Sequence, residues 1–264
     1  MAALAIFGIT GRMGQSLVRA LRETPAFSLS GAIASATSER LGQDAAGEGA
    51  PTGVLITSDA SLGVRGASVA VDFSASSAVA AHAQACAAAG VPILIGTTAL
   101  DAASRAELTR MARDIAVLIA PNTSVGVSVV AELVSMAALM LGSAYDVEIF
   151  EAHHRMKRDA PSGTALALGQ AVAAARGRDL AEVAIYERAS HGAPRSAGSI
   201  GFSSLRAGDI VGEHTVTFAA AGERIEITHR ATDRITFARG ALRAAEWLIG
   251  QPAGLYGMEN VLRL

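Results

Sequence analysis

The stretch from Glu151 to Thr164 reads E-A-H-H-R-M-K-R-D-A-P-S-G-T and holds the densest chemistry in the chain. His153 and His154 offer two imidazoles that can exchange a proton near neutral pH. Lys157 is the only lysine among the 22 basic residues, all the others being arginine. Where positive charge alone was needed this chain uses arginine, which stays charged. An ammonium group can give up a proton when its surroundings lower its pKa, so the single lysine beside two histidines points to proton chemistry. Ser162-Gly163-Thr164 opens a helical pattern, and a helix N-terminus presents backbone N–H groups to an anion. Thr164 adds a hydroxyl, so a carboxylate substrate fits there. Metal binding is not expected. Adjacent histidines on extended backbone point to opposite sides, and no HExxH spacing or cysteine partner accompanies them, although Glu151 is near.

A strand must precede this stretch and a helix must follow it. The apolar run 147–150 predicts the strand, and residues 165–175 predict the helix. Functional residues commonly sit on such loops, presented by a rigid scaffold.

Composition narrows the class. A net charge of −2 gives no bulk attraction to nucleic acid or anionic membrane. With 51 % hydrophobic residues in 264, the chain can bury one large core or two modest ones. Much of that content is alanine, which suits tightly packed helices. No uninterrupted apolar run is expected to span a bilayer, and no basic leader precedes the first glycine motif. The single cysteine, Cys86, reads as a small buried hydrophobe. A soluble cytoplasmic protein is expected.

The first half alternates strand and helix. An apolar run over residues 3–7 leads into Gly8-Ile9-Thr10-Gly11-Arg12-Met13-Gly14, followed by Leu17, Val18 and Leu21 at helical spacing. A strand, a glycine turn and a helix open a dinucleotide-binding unit, in which backbone approaches pyrophosphate and Arg12 can face phosphate. The spacing is G-x-x-G-x-x-G rather than G-x-G-x-x-G. A second strand over 27–34 ends at Ser35-Ala36-Thr37-Ser38, where an acidic residue would hold the ribose of NAD. Ser35 and Thr37 can bond a ribose hydroxyl or a 2′-phosphate, and Arg40 can swing in, so NADH and NADPH both remain open. Residues 42–53, glycine-rich around Pro51, read as a surface loop. Strands at 69–73, 91–95 and 116–119 follow, with a helix over 76–89 and another, capped by Asp101, running to residue 115. Four strand ends converge on one rim: residues 8–14, 73–74, 96–98 and 120–123.

The second half changes period. Residues 124–128 read as a hinge and 129–141 as a helix. Alternating runs at 146–151, 200–206, 210–218 and 224–230 predict strands, with hairpin signals at 206–209 and 221–223. A helix over 236–249 should pack back on the first domain. The expected fold is α/β: a Rossmann-like parallel-sheet dinucleotide-binding domain, residues 1–124 completed by 235–264. It is joined to an α+β domain with a mixed, largely antiparallel sheet, residues 125–234. The latter would bind substrate and, through its half-apolar sheet, oligomerise. His191, His214 and His229 read as ordinary surface or hydrogen-bonded histidines.

E-A-H-H-R-M-K-R-D-A-P-S-G-T-A resembles the signature of the 4-hydroxy-tetrahydrodipicolinate (dihydrodipicolinate) reductases of the bacterial lysine pathway. So do residues 8–14 with their G-R-M-G ending, Gly96-Thr97-Thr98, residues 122–127 and the run 200–214. Together these cover nearly the whole chain. The resemblance implies a homotetramer that reduces an unsaturated cyclic dicarboxylate with NADH or NADPH. It implies His153 as proton donor and acceptor, and Lys157 as a second proton donor. His154, Gly163 and Thr164 would hold the substrate carboxylates. Gly8, Ile9, Thr10, Gly11, Arg12, Met13, Gly96, Thr97, Thr98, Ala120, Pro121, Asn122 and Thr123 would bind the dinucleotide. Ser35-Ala36 stands where some members carry an acidic residue and arginine, and Thr123 where an aromatic can occur. The rival readings are another two-domain amino-acid-pathway dehydrogenase and a non-catalytic NADP-sensing regulator.

Overall fold

The structure, a computed structural model, describes residues 1–188, 192 and 194–263. His191 lies outside the described residues. The chain runs β1 (Ala2–Phe7), α1 (Arg12–Leu21), β2 (Phe27–Ile33), β3 (Ile56–Thr57), α2 (Ala60–Gly63), β4 (Val69–Asp72), α3 (Val79–Ala89), β5 (Ile93–Ile95), α4 (Ala102–Met111) and β6 (Ala116–Ile119). Then come α5 (Val125–Leu141), β7 (Asp146–His153), α6 (Gly163–Ala175), α7 (Leu180–Val183), β8 (Ala184–Ile185), β9 (Ile200–Arg206), β10 (Gly212–Ala220) and β11 (Glu223–Ala231). It closes with α8 (Ile235–Leu248), β12 (Gly254–Tyr256) and α9 (Met258–Leu262). Two compact units result: Met1–Val125 with Arg234–Leu264, and Gly126–Asp233.

In the first unit, β12-β6-β5-β4-β1-β2-β3 form a parallel sheet. The order reverses between β1 and β4, where ligands of such sheets collect at the carboxyl ends. Both faces are covered, which is why the strands are almost wholly apolar. Leu17 and Val18 of α1 and residues 238–248 of α8 pack one face; Val79, Ala83, Cys86, Leu108 and Met111 of α3 and α4 pack the other. Burial pushes the Cys86 thiol well above its usual range, which fits a small core residue. The Asp101 carboxylate accepts from Ser104 N and caps α4. Gly90, in the left-handed region at φ 66°, ends α3.

The second unit is a mixed sheet in the order β11-β10-β7-β9-β8, antiparallel on the β10 side of β7 and parallel on its β9 side. Its inner face, from Val147 and Ile149 to Val216 and Phe218, packs on Val130 and Val134 of α5 and Leu168 and Val172 of α6. Two expectations need correction. Residues 206–209 are a turn but not a hairpin: β9 and β10 flank β7 on opposite sides, and the turn crosses the end of β7. Ala207 N donates to His153 O, and Arg155 N to Gly208 O. A turn signal marks a reversal of direction, not the neighbour that the next strand finds. The boundary between the two compact units still falls within the segment expected as a hinge, at Val125–Gly126, but that segment is largely helical, because the helix expected from residue 129 starts four residues earlier, as α5 at Val125. With the short turn after it, Val125–Ala144 makes a helical run of 20 residues that is apolar and long enough, by length and composition, to match a bilayer. Within its unit it packs Val130, Val134 and Ala138 into the core.

Candidate active site

The rim of the first unit is made mostly of backbone. Gly8 sits at φ 75°, and a Cβ there would meet Phe73 O at 2.6 Å. A Cβ on Gly14 would meet Gly8 O at 2.4 Å, so α1 lies directly on the glycine turn. Gly11 precedes α1 without a side-chain cap. The first-turn amides of Arg12 and Met13 are beyond reach of any carbonyl of their own helix, and Gly11 and Arg12 are exposed. This open, uncapped start with a positive dipole end fits a dinucleotide pyrophosphate. Thr10 borders it, while the Ile9 side chain is buried in the core, so Ile9 can contribute only backbone.

The other rim residues divide between exposed and structural. Gly96 is filled by the Phe73 ring, which a Cβ would meet at 2.1 Å. Thr97 is buried, its hydroxyl within reach of Asp72 O, Asp72 Oδ1 and Ser74 O, whereas Thr98 is exposed. Asp72 also accepts from Ser74 N and pairs with His82 Nδ1 at 2.8 Å, and the His82 ring stacks on Phe7. Ala120 is in the core and Pro121 is exposed. Asn122 Oδ1 accepts from Ser124 N. Thr123 is turned inward, its hydroxyl donating to Phe237 O at 2.7 Å. At the end of β2, Ser35 Oγ and Thr37 Oγ1 lie 2.9 Å apart and exposed. Arg40 does not swing toward them; it donates to Asp44 O and Ala46 O.

The other constellation lies at the carboxyl end of β7, and it is made of side chains. Glu151 and His153 are two apart on a strand and share its inner face. Glu151 is fully buried. Its Oε2 accepts from His153 Nδ1 at 2.5 Å and from Arg206 Nη1 at 2.8 Å; its Oε1 accepts from Arg206 Nη2 at 2.7 Å and Ser162 N at 3.2 Å. Burial opposes ionisation of Glu151, but hydrogen bonds from Arg206, Ser204 and His153 prevail and hold its pKa at about 2. Burial lowers the His153 pKa, with Glu151 opposing and the Lys157 and Arg206 charges reinforcing. His214 lies edge-on to His153, ring centroids 5.2 Å apart. Its Nε2 meets Ser162 Oγ at 3.0 Å, and burial foremost brings its pKa down to about 4.

Ser162 caps α6 by accepting from Ala165 N. At Gly163, the first residue of α6, a Cβ would meet nothing within 4 Å, so the helix start is open there. Thr164 follows in the same turn. His154 is half-buried at the start of the loop, its carbonyl accepting from Lys157 N. Lys157 Nζ is held by both Asp159 oxygens at 2.8 Å. Asp159 O in turn accepts from Arg206 Nη2 at 2.6 Å. One guanidinium thus ties the lysine's loop to the carboxylate beneath the imidazole. Among the described residues, no group of three or more His, Cys, Asp or Glu side chains is placed to hold a metal ion.

The models of the dihydrodipicolinate reductase N-terminus and C-terminus match residues 2–123 and 126–262. The chain belongs to the dihydrodipicolinate reductase family. The 4-hydroxy-tetrahydrodipicolinate reductase of Anaeromyxobacter dehalogenans strain 2CP-1 is 49 % identical, aligned over 100 % of this chain and 98 % of its own. That of Thiobacillus denitrificans is also 49 % identical, over 99 % and 98 %. Among solved structures, the dipicolinate-bound dihydrodipicolinate reductase of Paenisporosarcina sp. TG-14 shares the fold, with TM-score 0.76 over 98 % of this chain and 99 % of its own at 24 % identity. For this member of the dihydrodipicolinate reductase family, the motif residues were legible in sequence, but their supports were missed. Arg206 and His214 reach the site from β9 and β10, far along the chain, and carry no local signal; Ser162 is legible as the residue that opens α6 but not as a partner of Glu151 and His214. Glu151 carries a local signal, its two-residue spacing from His153 on a predicted strand, which places both side chains on one face.

Proposed function

We propose that the chain reduces 4-hydroxy-tetrahydrodipicolinate to tetrahydrodipicolinate with NADH or NADPH, in lysine and diaminopimelate biosynthesis. The observation that carries this reading is the end of β7, where a buried imidazole, a lysine and an open helix start lie on one strand-to-helix connection. The near-half identity to named reductases over their whole length supports it. The reaction adds one hydride and one proton to the ring and releases one water. The nicotinamide supplies the hydride when bound. His153 supplies or takes the proton, and Lys157 is the second donor. His154, Gly163 and Thr164 hold the carboxylates, the helix dipole favouring negative charge there. The dinucleotide is held by the glycine turn, by residues 96–98 and by residues 120–123. Within those segments Thr97 and Thr123 act through backbone, since their hydroxyls are engaged elsewhere.

The β2 end carries three hydroxyl residues, Ser35, Thr37 and Ser38, and no carboxylate at residues 35–38, so a 2′-phosphate meets no like charge there. A homotetramer assembled through the outer face of the second sheet, where Phe150 and Leu205 are about 40 % exposed, fits that half-apolar surface. A cytoplasmic location follows from the biosynthetic reading. The test is a coupled assay: the substrate is made from pyruvate and aspartate semialdehyde by its synthase, and absorbance of NADH and NADPH is followed separately. Consumption of either supports the reading. Binding of NADP without consumption would favour the regulatory alternative.

A further inference from the structure

We propose that Glu151 is a positioning residue for the reaction proposed above: it fixes His153 in the tautomer protonated on Nδ1, leaving Nε2 as the atom that exchanges a proton with substrate. This rests on that functional reading for its catalytic consequence but on geometry alone for the tautomer. An ionised carboxylate only accepts, so the 2.5 Å contact from His153 Nδ1 to Glu151 Oε2 requires the proton on Nδ1. The carboxylate cannot turn away. The Arg206 fork holds both its oxygens at 2.7 and 2.8 Å, and Ser162 N adds a third anchor. The remaining ring nitrogen has space beside it because residue 212 is glycine: a Cβ there would stand 3.2 Å from His153 Nε2. A buried carboxylate that orients a histidine through one ring nitrogen so that the other can work is the arrangement of the serine-protease triad, here on an unrelated fold.

The groups facing His153 are Glu151 on its own strand, Lys157 with its partner Asp159 on the following loop, Arg206 at the end of β9, and His214 on β10. Glu151 is the hydrogen-bonded anion among them, and the two cations act against it. Removing its charge while keeping its shape leaves burial and the Lys157 and Arg206 charges to disfavour the imidazolium.

The experiment compares wild type with Glu151→Gln and Glu151→Asp as full-length protein. In ¹⁵N spectra of substrate-free wild type, the neutral His153 ring should show Nδ1 protonated and Nε2 bare. Glu151→Gln should shift His153 toward the other tautomer and lower turnover about 10–100-fold, as loss of an orienting partner does. KM for the nicotinamide should be unchanged. The limb of the pH profile that reports protonated His153 should move to lower pH, and Glu151→Asp should restore part of the rate. A wild-type ring protonated on Nε2 overturns the proposal, and so does a Glu151→Gln enzyme with unmoved ring shifts and pH limb. If Glu151→Gln does not fold, the wild-type spectrum alone decides. If wild type reduces no substrate in the coupled assay, the functional reading fails while the spectrum still settles the tautomer.

Discussion

The rim of the first unit and the end of β7 solve opposite problems. The rim works by leaving side chains out: at Gly8 and Gly14 a single methyl group would collide with backbone, and the first turn of α1 opens to solvent uncapped. The end of β7 works by packing charges in: a fully buried glutamate, a guanidinium fork, two imidazoles and a capping serine hold one another. A surface that must fit pyrophosphate needs donors and room, which bare backbone supplies. A group that must move a proton needs a set orientation and a tuned pKa, and only neighbouring side chains supply those. The two regions should therefore fail differently.

The largest effects should fall at the end of β7. His153→Gln should lower turnover about 10²–10⁴-fold, the range for losing a general acid, and Lys157→Ala should also lower it strongly. Cofactor affinity measured by fluorescence titration should change little in either. Equal losses of turnover and cofactor affinity would erase the contrast between the regions. Next comes Gly14→Ala, whose new methyl presses on Gly8 O and Ile9 O. It should cost about 1–3 kcal/mol of stability in urea unfolding and weaken the cofactor, since neither carbonyl can retreat without moving the turn. A Gly14→Ala protein with unchanged cofactor affinity would mean that the turn is not the binding element. Thr123→Val should cost about 0.5–1.5 kcal/mol by removing the hydroxyl's hydrogen bond to the part-buried Phe237 carbonyl, with the chemical step intact. A large loss of turnover with stability unchanged would place Thr123 at the reaction instead.

The smallest effect is on pH. His153, His214 and His229 all have pKa values lowered by burial. Between the ordinary histidine range and about 4, the unfolded chain binds more protons than the folded one, so stability should fall as pH drops through that window. Glu151 acts elsewhere: its contribution is present above the ordinary carboxylate range and disappears as pH falls toward about 2. Replacing His214 by Asn should flatten the first window in urea titrations from pH 7 to 4. An unchanged slope would show that His214 titrates normally.

Fold was legible wherever the signal was local. Gly8 to Gly14 announced a strand, turn and helix because only glycine tolerates those approaches, and Asp101 announced the start of α4 because its carboxylate caps the Ser104 amide three positions on. The turn at 206–209 was legible as a turn and misleading as a hairpin, since β7 enters between β9 and β10. Arg40 and Thr123 were legible as polar groups near the rim. Their partners, the carbonyls of Asp44 and Ala46 in one case and of Phe237 in the other, were not.

The order of residues by itself determined which backbone segments can meet phosphate, where strands give way to helices, and that one lysine and two histidines share a connection. Those are properties of neighbours a few positions apart, set by steric freedom and hydrogen-bonding valence. The tertiary structure alone decided that Arg206, 55 positions from Glu151, would clamp its carboxylate, and that Ser162 would meet His214 across 52. Such contacts depend on which strands lie side by side, and strand order is chosen by the burial of whole faces, to which no single residue testifies.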